Sequence, residues 1–142
     1  MPLCLNAGLL SATLAANAFT LAWVHSIEKL RWEEDWRIAG DRLEVVAARI
    51  RGTGAGMEPP AGAVLRDGTW HYQPAVAPLR ALTLTHSPHA GGYELCAGEP
   101  CRLLAELLPG LSADAVVEIA PCAASTAAGE NQPLRPRTPP TR

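Results

Sequence analysis

Polar and apolar residues alternate along most of the chain, in short runs that turn-forming residues separate. Alternation with a period of two is typical of strands that bury one face of a sheet. The 12 glycines and 13 prolines interrupt the chain too often for long helices. The runs that predict strands cover residues 3–5, 19–27, 32–38, 43–50, 63–65, 69–72, 82–87, 93–96 and 115–120. The pattern predicts an all-β fold, either a small antiparallel sandwich or a partly open barrel, with about eight short strands.

Two segments lack the alternation typical of strands. In one of them the apolar residues recur with the helical period, and in the other they show no regular spacing. Four leucines recur at helical spacing before Pro109-Gly110, namely Leu103, Leu104, Leu107 and Leu108. They predict one short helix over residues 102–108. Residues 123–142 are rich in Ala, Ser and Thr and then in Pro and Arg, which is typical of disorder. We therefore predict a single β domain over residues 1–122 and a disordered Pro/Arg-rich tail over 123–142.

Two dipeptides predict tight turns between these strands. Gly40-Asp41 and Asp67-Gly68 both carry the residue types that hairpin turns require. After the first turn, strand 43–50 has apolar residues at successive positions, so that strict alternation leaves both of its faces apolar. Its two sides would be Val45 with Ala47, and Val46 with Ala48 and Ile50. Such a strand is expected in the interior of a sheet.

The densest chemistry lies in the first hairpin. If strands 19–27 and 32–38 are joined by residues 28–31, Trp23 faces Trp36 and His25 faces Glu34. All four side chains then share one face of the sheet, because side chains alternate with period two. An imidazole beside a carboxylate among large apolar groups is a setting that shifts pKa values and marks functional sites. The tryptophans themselves are interpreted as core residues, with ligand stacking as the minority alternative.

The pair formed by His25 and Glu34 can be interpreted in two ways. It is either an oriented imidazole that acts as a base or binds a carboxylate or a metal, or a buried hydrogen-bonded pair that fixes strand register. Glu28 at the turn can fold back toward His25, and two carboxylates with a histidine would suit a divalent metal. Ser26 lies on the opposite face, which disfavours a Ser-His-acid triad.

On the outer face of the hairpin, the charged residues Glu33, Asp35 and Arg37 are interpreted as a solvated surface.

A second candidate element is the glycine-rich loop that contains Gly52, Gly54 and Gly56. It is not a dinucleotide fingerprint, because Met57 stands at the third glycine's place and no helix follows. The loop is either an anion-binding nest of exposed amides or a tight crossover of the backbone. Glu58 precedes two prolines and is therefore held in an extended conformation.

Composition limits the partners and the compartment. The net charge is −2, and no basic cluster precedes the tail, so we expect no nucleic-acid partner. The apolar N-terminus has no basic residue before it, and no run reaches membrane-spanning length. These features predict a cytoplasmic protein without a transmembrane segment. The four cysteines are left open: Cys96 with Cys101, and Cys4 with Cys122, are either disulfides or small buried side chains.

Several motifs together resemble the bacterial family known as domain of unknown function 1850 (DUF1850). They are His25-Ser26-Ile27-Glu28-Lys29, Glu33-Glu34, Trp36 and Gly54-Ala55-Gly56-Met57. They are similar to the family's His-Ser-Val-Glu motif, its later acidic residue and its Gly-Ala-Gly-Leu-Pro loop, and the likeness runs from about residue 19 to residue 122. The resemblance implies a place beside TRAP-type solute transporters of the TAXI class, as an accessory in the uptake of organic acids. It implies no catalytic activity, and it implies a periplasmic or membrane-peripheral alternative for the compartment.

The sequence therefore predicts a non-enzymatic binding or accessory protein linked to a TAXI-type transporter, with a small organic anion or transporter subunits as partners. The predicted ligand-binding residues are His25, Ser26, Glu28, Glu34, Gly54, Gly56 and Glu58. We assign no catalytic residue, metal or cofactor. The alternatives are a metal-assisted hydrolase that uses the histidine with Glu28 and Glu34, and a purely structural interaction domain.

Overall fold

The computed structural model of the protein describes residues 2–24, 29–52, 60–87, 92–98 and 100–122. Within them the chain forms eleven strands and one helical turn. The strands are β1 (Leu3–Ala7), β2 (Leu10–Leu14), β3 (Ala18–Val24), β4 (Arg31–Ala39), β5 (Arg42–Arg51), β6 (Val64–Arg66), β7 (Thr69–Tyr72), β8 (Leu82–Thr85), β9 (Glu94–Cys96), β10 (Arg102–Leu103) and β11 (Val116–Pro121). The helical turn, α1, is Leu104–Leu107.

The strands form two antiparallel sheets that share one core. The smaller sheet has the order β2-β1-β11-β8, and the larger one has the order β10-β9-β3-β4-β5-β7-β6. Buried side chains from both sheets belong to one apolar cluster. The described residues form no closed barrel, so the sandwich is confirmed as the all-β architecture.

The alternation in the sequence correctly identifies the faces of most strands. Leu3 and Leu5 in β1, and Leu82 and Leu84 in β8, point into the core and are at most 2% exposed. Both predicted turns are also confirmed, since β4 and β5 are joined by Gly40-Asp41 and β6 and β7 by Asp67-Gly68. Asp67 and Gly68 have φ values of 50° and 76°, the left-handed conformation that a two-residue hairpin turn uses.

The predicted helix is shorter than the leucine spacing indicates. Only Leu104–Leu107 is helical, and Arg102 and Leu103 instead form β10, opposite Leu95 and Glu94 of β9. A disulfide between Cys96 and Cys101 closes the turn between these two strands. Pairing with a neighbouring strand therefore overrides the helical propensity of the first two residues, and the helix prediction is wrong there.

Strand β5 contains a β-bulge that the sequence does not reveal. Asp35 pairs with Ala47 and Trp36 pairs with Val45, which leaves Val46 without an opposite residue. The extra residue shifts the alternation by one. Val45 therefore faces the core together with Ala48 and Ile50, and the predicted division of this strand into two apolar faces is wrong.

All four cysteines form disulfides. Cys4 bonds to Cys122 across a sequence separation of 118, and Cys96 bonds to Cys101. The first bridge joins the two chain ends of the sandwich, because β1 and β11 are neighbours in the smaller sheet. The question that the sequence left open is thus answered in favour of disulfides.

No helix among the described residues is long and apolar enough to cross a membrane. The predicted disordered tail at 123–142 lies outside the residues that the structure describes.

Candidate functional site

Only one of the predicted ligand-binding residues, Glu34, lies within the described parts of the chain. The others, His25, Ser26, Glu28, Gly54, Gly56 and Glu58, lie outside them. Glu34 is on the core face of β4 and is 4% exposed. Its carboxylate accepts a hydrogen bond of 3.1 Å from the indole Nε1 of Trp36. A buried carboxylate held by an indole is consistent with either of the two interpretations of this residue.

The register of the hairpin formed by β3 and β4 differs from the prediction. Leu21, not His25, stands opposite Glu34, and Trp23 stands opposite Trp32, not Trp36. The indoles of Trp23 and Trp32 stack with centroids 6.4 Å apart. The predicted turn used residues 28–31, but Arg31 already belongs to β4, where it pairs with Val24. The predicted pairing was therefore wrong, because the partners on β4 are displaced by four residues toward the N-terminus, from Trp36 to Trp32 opposite Trp23.

The residues that flank the two predicted motifs meet at one end of the larger sheet. Arg31 lies between Val24 and Arg51 in the strand ladder, and the amide of Gly52 donates a 2.8 Å hydrogen bond to the carbonyl of Gly68. Gly52 has a φ of 102°, and a Cβ at this position would lie 2.9 Å from Cδ2 of Leu30. The close approach of Gly52 to Leu30 brings the two flanks together although they are far apart in sequence.

Beside these flanks, the outer face of the larger sheet carries an ion cluster around one buried carboxylate. Its centre is Glu33, which is 5% exposed. Three guanidiniums surround this carboxylate: Arg31 Nε at 2.7 Å, Arg49 Nε at 2.9 Å and Arg51 Nη2 at 3.2 Å. The prediction that Glu33 lies on a solvated surface is therefore wrong, because Arg49 and Arg51 of β5 cover it together with Arg31 of its own strand.

Asp35 extends this ion cluster along β4. Arg49 binds the carboxylate of Asp35 with two nitrogens, at 2.7 and 2.9 Å, and the hydroxyl of Thr20 donates to it at 2.7 Å. At the other side, Arg31 reaches Glu94 of β9 at 2.9 Å. The cluster thus links four adjacent strands, and its paired arrangement satisfies charges that would be costly to bury alone.

The arginines lower the pKa values of both central carboxylates. Burial raises the pKa of Glu33, but hydrogen bonds from Arg31 and Arg49 and the charges of Arg51 and Arg49 lower it by more, so the net pKa is below its ordinary value. For Asp35, the hydrogen bond from Arg49 is the largest cause and outweighs burial, which again gives a lowered pKa. Asp35 and Glu33 in turn raise the pKa of Arg49 against the effect of burial.

These shifts predict loss of stability in acid. A carboxylate whose pKa is lower in the folded state stabilises the fold fully above its unfolded pKa, and the contribution disappears as pH falls toward the folded value. We expect the free energy of unfolding to decrease below about pH 4.5, where the unfolded chain starts to take up protons at residues 33 and 35. Urea unfolding at stepwise pH values measures this free energy, and Asp35→Asn should reduce the slope of its plot against pH. An unchanged slope in that variant would contradict the assignment.

Next to the ion cluster lies a concavity of about 360 Å³, which we call the arginine groove. It is lined by Arg49, Arg51, Arg66, Asp67, Thr69 and His71. The strand ladder explains the arrangement, because Thr69 of β7 stands between Arg51 of β5 and Arg66 of β6. Side chains directly opposite one another share a face of the sheet. The groove therefore collects cationic and hydroxyl donors from three strands on the outer face.

The hydrogen-bond donors of this groove are used unequally. Arg49 is fully committed to Asp35 and Glu33. Arg51 forms a single ion pair within the described ranges, with Glu33 at 3.2 Å, and its side chain is 61% exposed. Arg66 forms no ion pair with any residue in the described ranges. The groove thus holds two guanidiniums with donors available to a ligand.

Sequence reasoning missed the residues of the groove. A signal for them existed, since Arg49 and Arg51 alternate on the strand that follows the alternating acids Glu33 and Asp35. Using it required the register of β5 on β4, which depends on the bulge at Val46. Within the described ranges, no group of three His, Cys, Asp or Glu side chains is placed to hold a metal ion.

The comparisons with known proteins agree with the motif resemblance at the level of the family. No curated protein and no solved structure matches the chain. A family match covers residues 19–104, which is more than half of the chain. The matched range contains the first hairpin, the glycine-rich segment and the whole arginine groove. The protein therefore belongs to the family described as Domain of unknown function (DUF1850).

Proposed function

We propose that this protein is a non-enzymatic binding protein that holds a small organic anion in the arginine groove, as an accessory of a TAXI-type TRAP transporter. The observation that carries the proposal is the pair of available guanidiniums of Arg51 and Arg66 on either side of Thr69. Guanidiniums bind carboxylates through charge-assisted, often bidentate hydrogen bonds. The link to a transporter is supported by the resemblance of the His-Ser and Gly-Ala-Gly motifs to those of the family.

The groove is chemically suited to a carboxylate. Arg51 and Arg66 lie on the two strands that flank β7, so their backbones are roughly 10 Å apart, and long side chains can converge on one ligand across that distance. Thr69 supplies a hydroxyl and His71 an imidazole on the same wall. Asp67 at the rim adds one negative charge, which favours a ligand that keeps its distance from the β6–β7 turn. In this arrangement Arg51 and Arg66 bind the anion, and Arg49 holds the ion cluster in place.

The proposal also gives roles to the residues predicted from sequence. The flanks of both motifs lie at the end of the sheet where the groove opens, and this placement supports a contribution of His25, Ser26 and Glu28, and of Gly54, Gly56 and Glu58, to the same site. Glu34 lies behind the groove, on the core face of β4. Its role in the proposal is to position the strand through its bond with Trp36.

The disulfides support a working place outside the reducing cytoplasm. Every cysteine of the chain is bridged, and such bridges persist in oxidising compartments and are rare in the cytosol. We therefore propose the periplasmic or membrane-peripheral location that the family resemblance implies, in place of the cytoplasmic one.

The proposal predicts that anion affinity depends on Arg66. Succinate titrated into the purified protein by calorimetry should bind the wild type, and Arg66→Gln should weaken binding by about 10-fold or more, since a charged hydrogen bond contributes roughly 1.5–3 kcal/mol. Arg42→Gln is the matched control, because Arg42 lies at the opposite end of β5 and 3.9 Å from Asp41. Equal affinities for wild type and Arg66→Gln would remove the groove as the anion site.

The transporter link needs a cellular measurement. Uptake of radiolabelled succinate, in cells that express the neighbouring transporter, should fall when the chain carries Arg66→Gln and should stay unchanged with Arg42→Gln. Full uptake with Arg66→Gln, despite lost binding in solution, would contradict the accessory role while leaving the binding site in place.

A further inference from the structure

A second cleft lies where the two sheets meet along one open side of the sandwich. We call it the seam cleft; its volume is about 240 Å³. It is lined by Leu14, Leu95, Ala97, Pro100, Arg102 and Leu107. Leu14 belongs to β2, an edge strand of the smaller sheet, and Arg102 belongs to β10, an edge strand of the larger one. The cleft is therefore the gap between two sheet edges. It lies at the β10 edge of the larger sheet, and the arginine groove lies near the opposite edge, which is β6.

Arg102 is the charged residue among those that line the seam cleft, and the other side chains are apolar. Leu95 is 2% exposed and forms part of the core, and Leu14, Ala97 and Leu107 pack against that core. The disulfide between Cys96 and Cys101 closes the turn that supplies Ala97 and Pro100. A covalently closed turn holds its wall in place without a ligand, and a preformed wall lowers the entropic cost of binding.

Arg102 gives the cleft its polarity. It stands directly opposite Leu95 in the ladder of β9 and β10, so both side chains lie on the same face of the sheet, Leu95 in the core and Arg102 exposed at the edge. Arg102 forms no ion pair with a carboxylate in the described ranges. Glu106 of the following helical turn accepts a hydrogen bond from the amide of Leu103 at 2.8 Å instead. The cleft thus combines apolar side chains with an exposed cation that has no counter-ion in the described ranges.

We propose that the seam cleft binds a small monocarboxylate with an apolar body, whose carboxylate pairs with Arg102 and whose tail lies against the leucines. The volume lies below the roughly 300–1,000 Å³ of sites for drug-sized ligands, so it suits a short aliphatic or aromatic acid. One guanidinium suits one carboxylate, whereas the arginine groove offers two. Charge complementarity with Arg102 selects the acid over an uncharged compound of the same length.

A structural explanation of Arg102 also exists. Charged side chains that point inward on an edge strand prevent the pairing of one sheet with another, and this role needs no ligand. The two explanations differ in one measurable respect. If Arg102 only protects the edge strand from pairing, its replacement by another polar residue should leave the affinity for a carboxylate unchanged.

The test uses hexanoate as the probe and hexanol as its uncharged analogue, titrated into the full chain and followed by calorimetry. Hexanoate should bind in the millimolar range, and Arg102→Gln should weaken it by about 10-fold. The affinity for hexanol should be equal in both proteins. Ala97→Phe, which fills the cleft, should weaken the two probes alike. Arg102 is exposed, so its replacement is expected to leave the fold intact.

Two further variants distinguish binding in the seam cleft from binding in the arginine groove. Arg66→Gln and Arg42→Gln should bind hexanoate as the wild type does, whether or not the arginine groove binds succinate. Three results would each overturn the seam cleft: no hexanoate binding to the wild type, unchanged affinity in Arg102→Gln, or loss of hexanoate in Arg66→Gln.

Discussion

Removing the disulfide between Cys4 and Cys122 is expected to lower the free energy of unfolding by about 5 kcal/mol, because the bridge closes most of the chain into one loop. Its sequence separation is 118, and a cross-link of that length strongly restricts the unfolded state. The double variant Cys4→Ala with Cys122→Ala measures the effect by urea unfolding. The strands that carry the bridge stay hydrogen-bonded as neighbours, so the folded structure itself should change little.

The second disulfide provides the matched control. Cys96 and Cys101 are separated by only 5 residues, and the same chain-entropy relation gives about 2 kcal/mol for its removal. The two double variants contain the same number of substitutions of the same type. Equal losses in both would contradict the entropic account and would point to contacts in the folded state instead. A larger loss for the long bridge would support the entropic account, in which the stabilisation grows with the length of the closed loop.

Replacing Glu33 by glutamine is expected to destabilise the fold by about 3 kcal/mol, the low end for breaking a buried ion pair, because the surrounding arginines keep some contact with water. Arg31 and Arg51 face each other directly in the ladder of β4 and β5. Without the carboxylate between them, two guanidiniums would be left as opposed like charges. The loss should appear as a lower urea midpoint with an unchanged slope.

A surface ion pair on the same face serves as the control for Glu33. Glu44 pairs with Arg37 at 2.7 Å, but the arginine side chain is 59% exposed. Glu44→Gln should therefore cost no more than about 1 kcal/mol. The difference between wild type and Glu33→Gln should also shrink in acid, because protonation of Glu33 then removes the same charge. Similar losses for both substitutions would show that the ion cluster on the outer face contributes no more than a surface pair.

The fold class and the faces of most strands can be predicted from the sequence alone. Alternation placed Leu3, Leu5, Leu82 and Leu84 in the core, and the Asp67-Gly68 turn was readable from residue type alone. The physical reason is local: the pleat sends successive side chains to opposite faces, and tight turns require particular backbone conformations. The motifs of the first hairpin and the glycine loop also sufficed to identify the family.

Which residues come into contact depends on how the strands pair in the assembled sheets. A hairpin register can move by an even number of residues without changing any side chain's face, so the pattern could not distinguish Trp32 from Trp36 as the partner of Trp23. The bulge at Val46 is likewise invisible in a strand whose residues are apolar at successive positions, yet it sends Arg49 and Arg51 to the outer face. Glu33 is buried because Arg49 and Arg51 of β5 cover it together with Arg31 of its own strand, and the contacts with β5 exist only once the sheet has assembled.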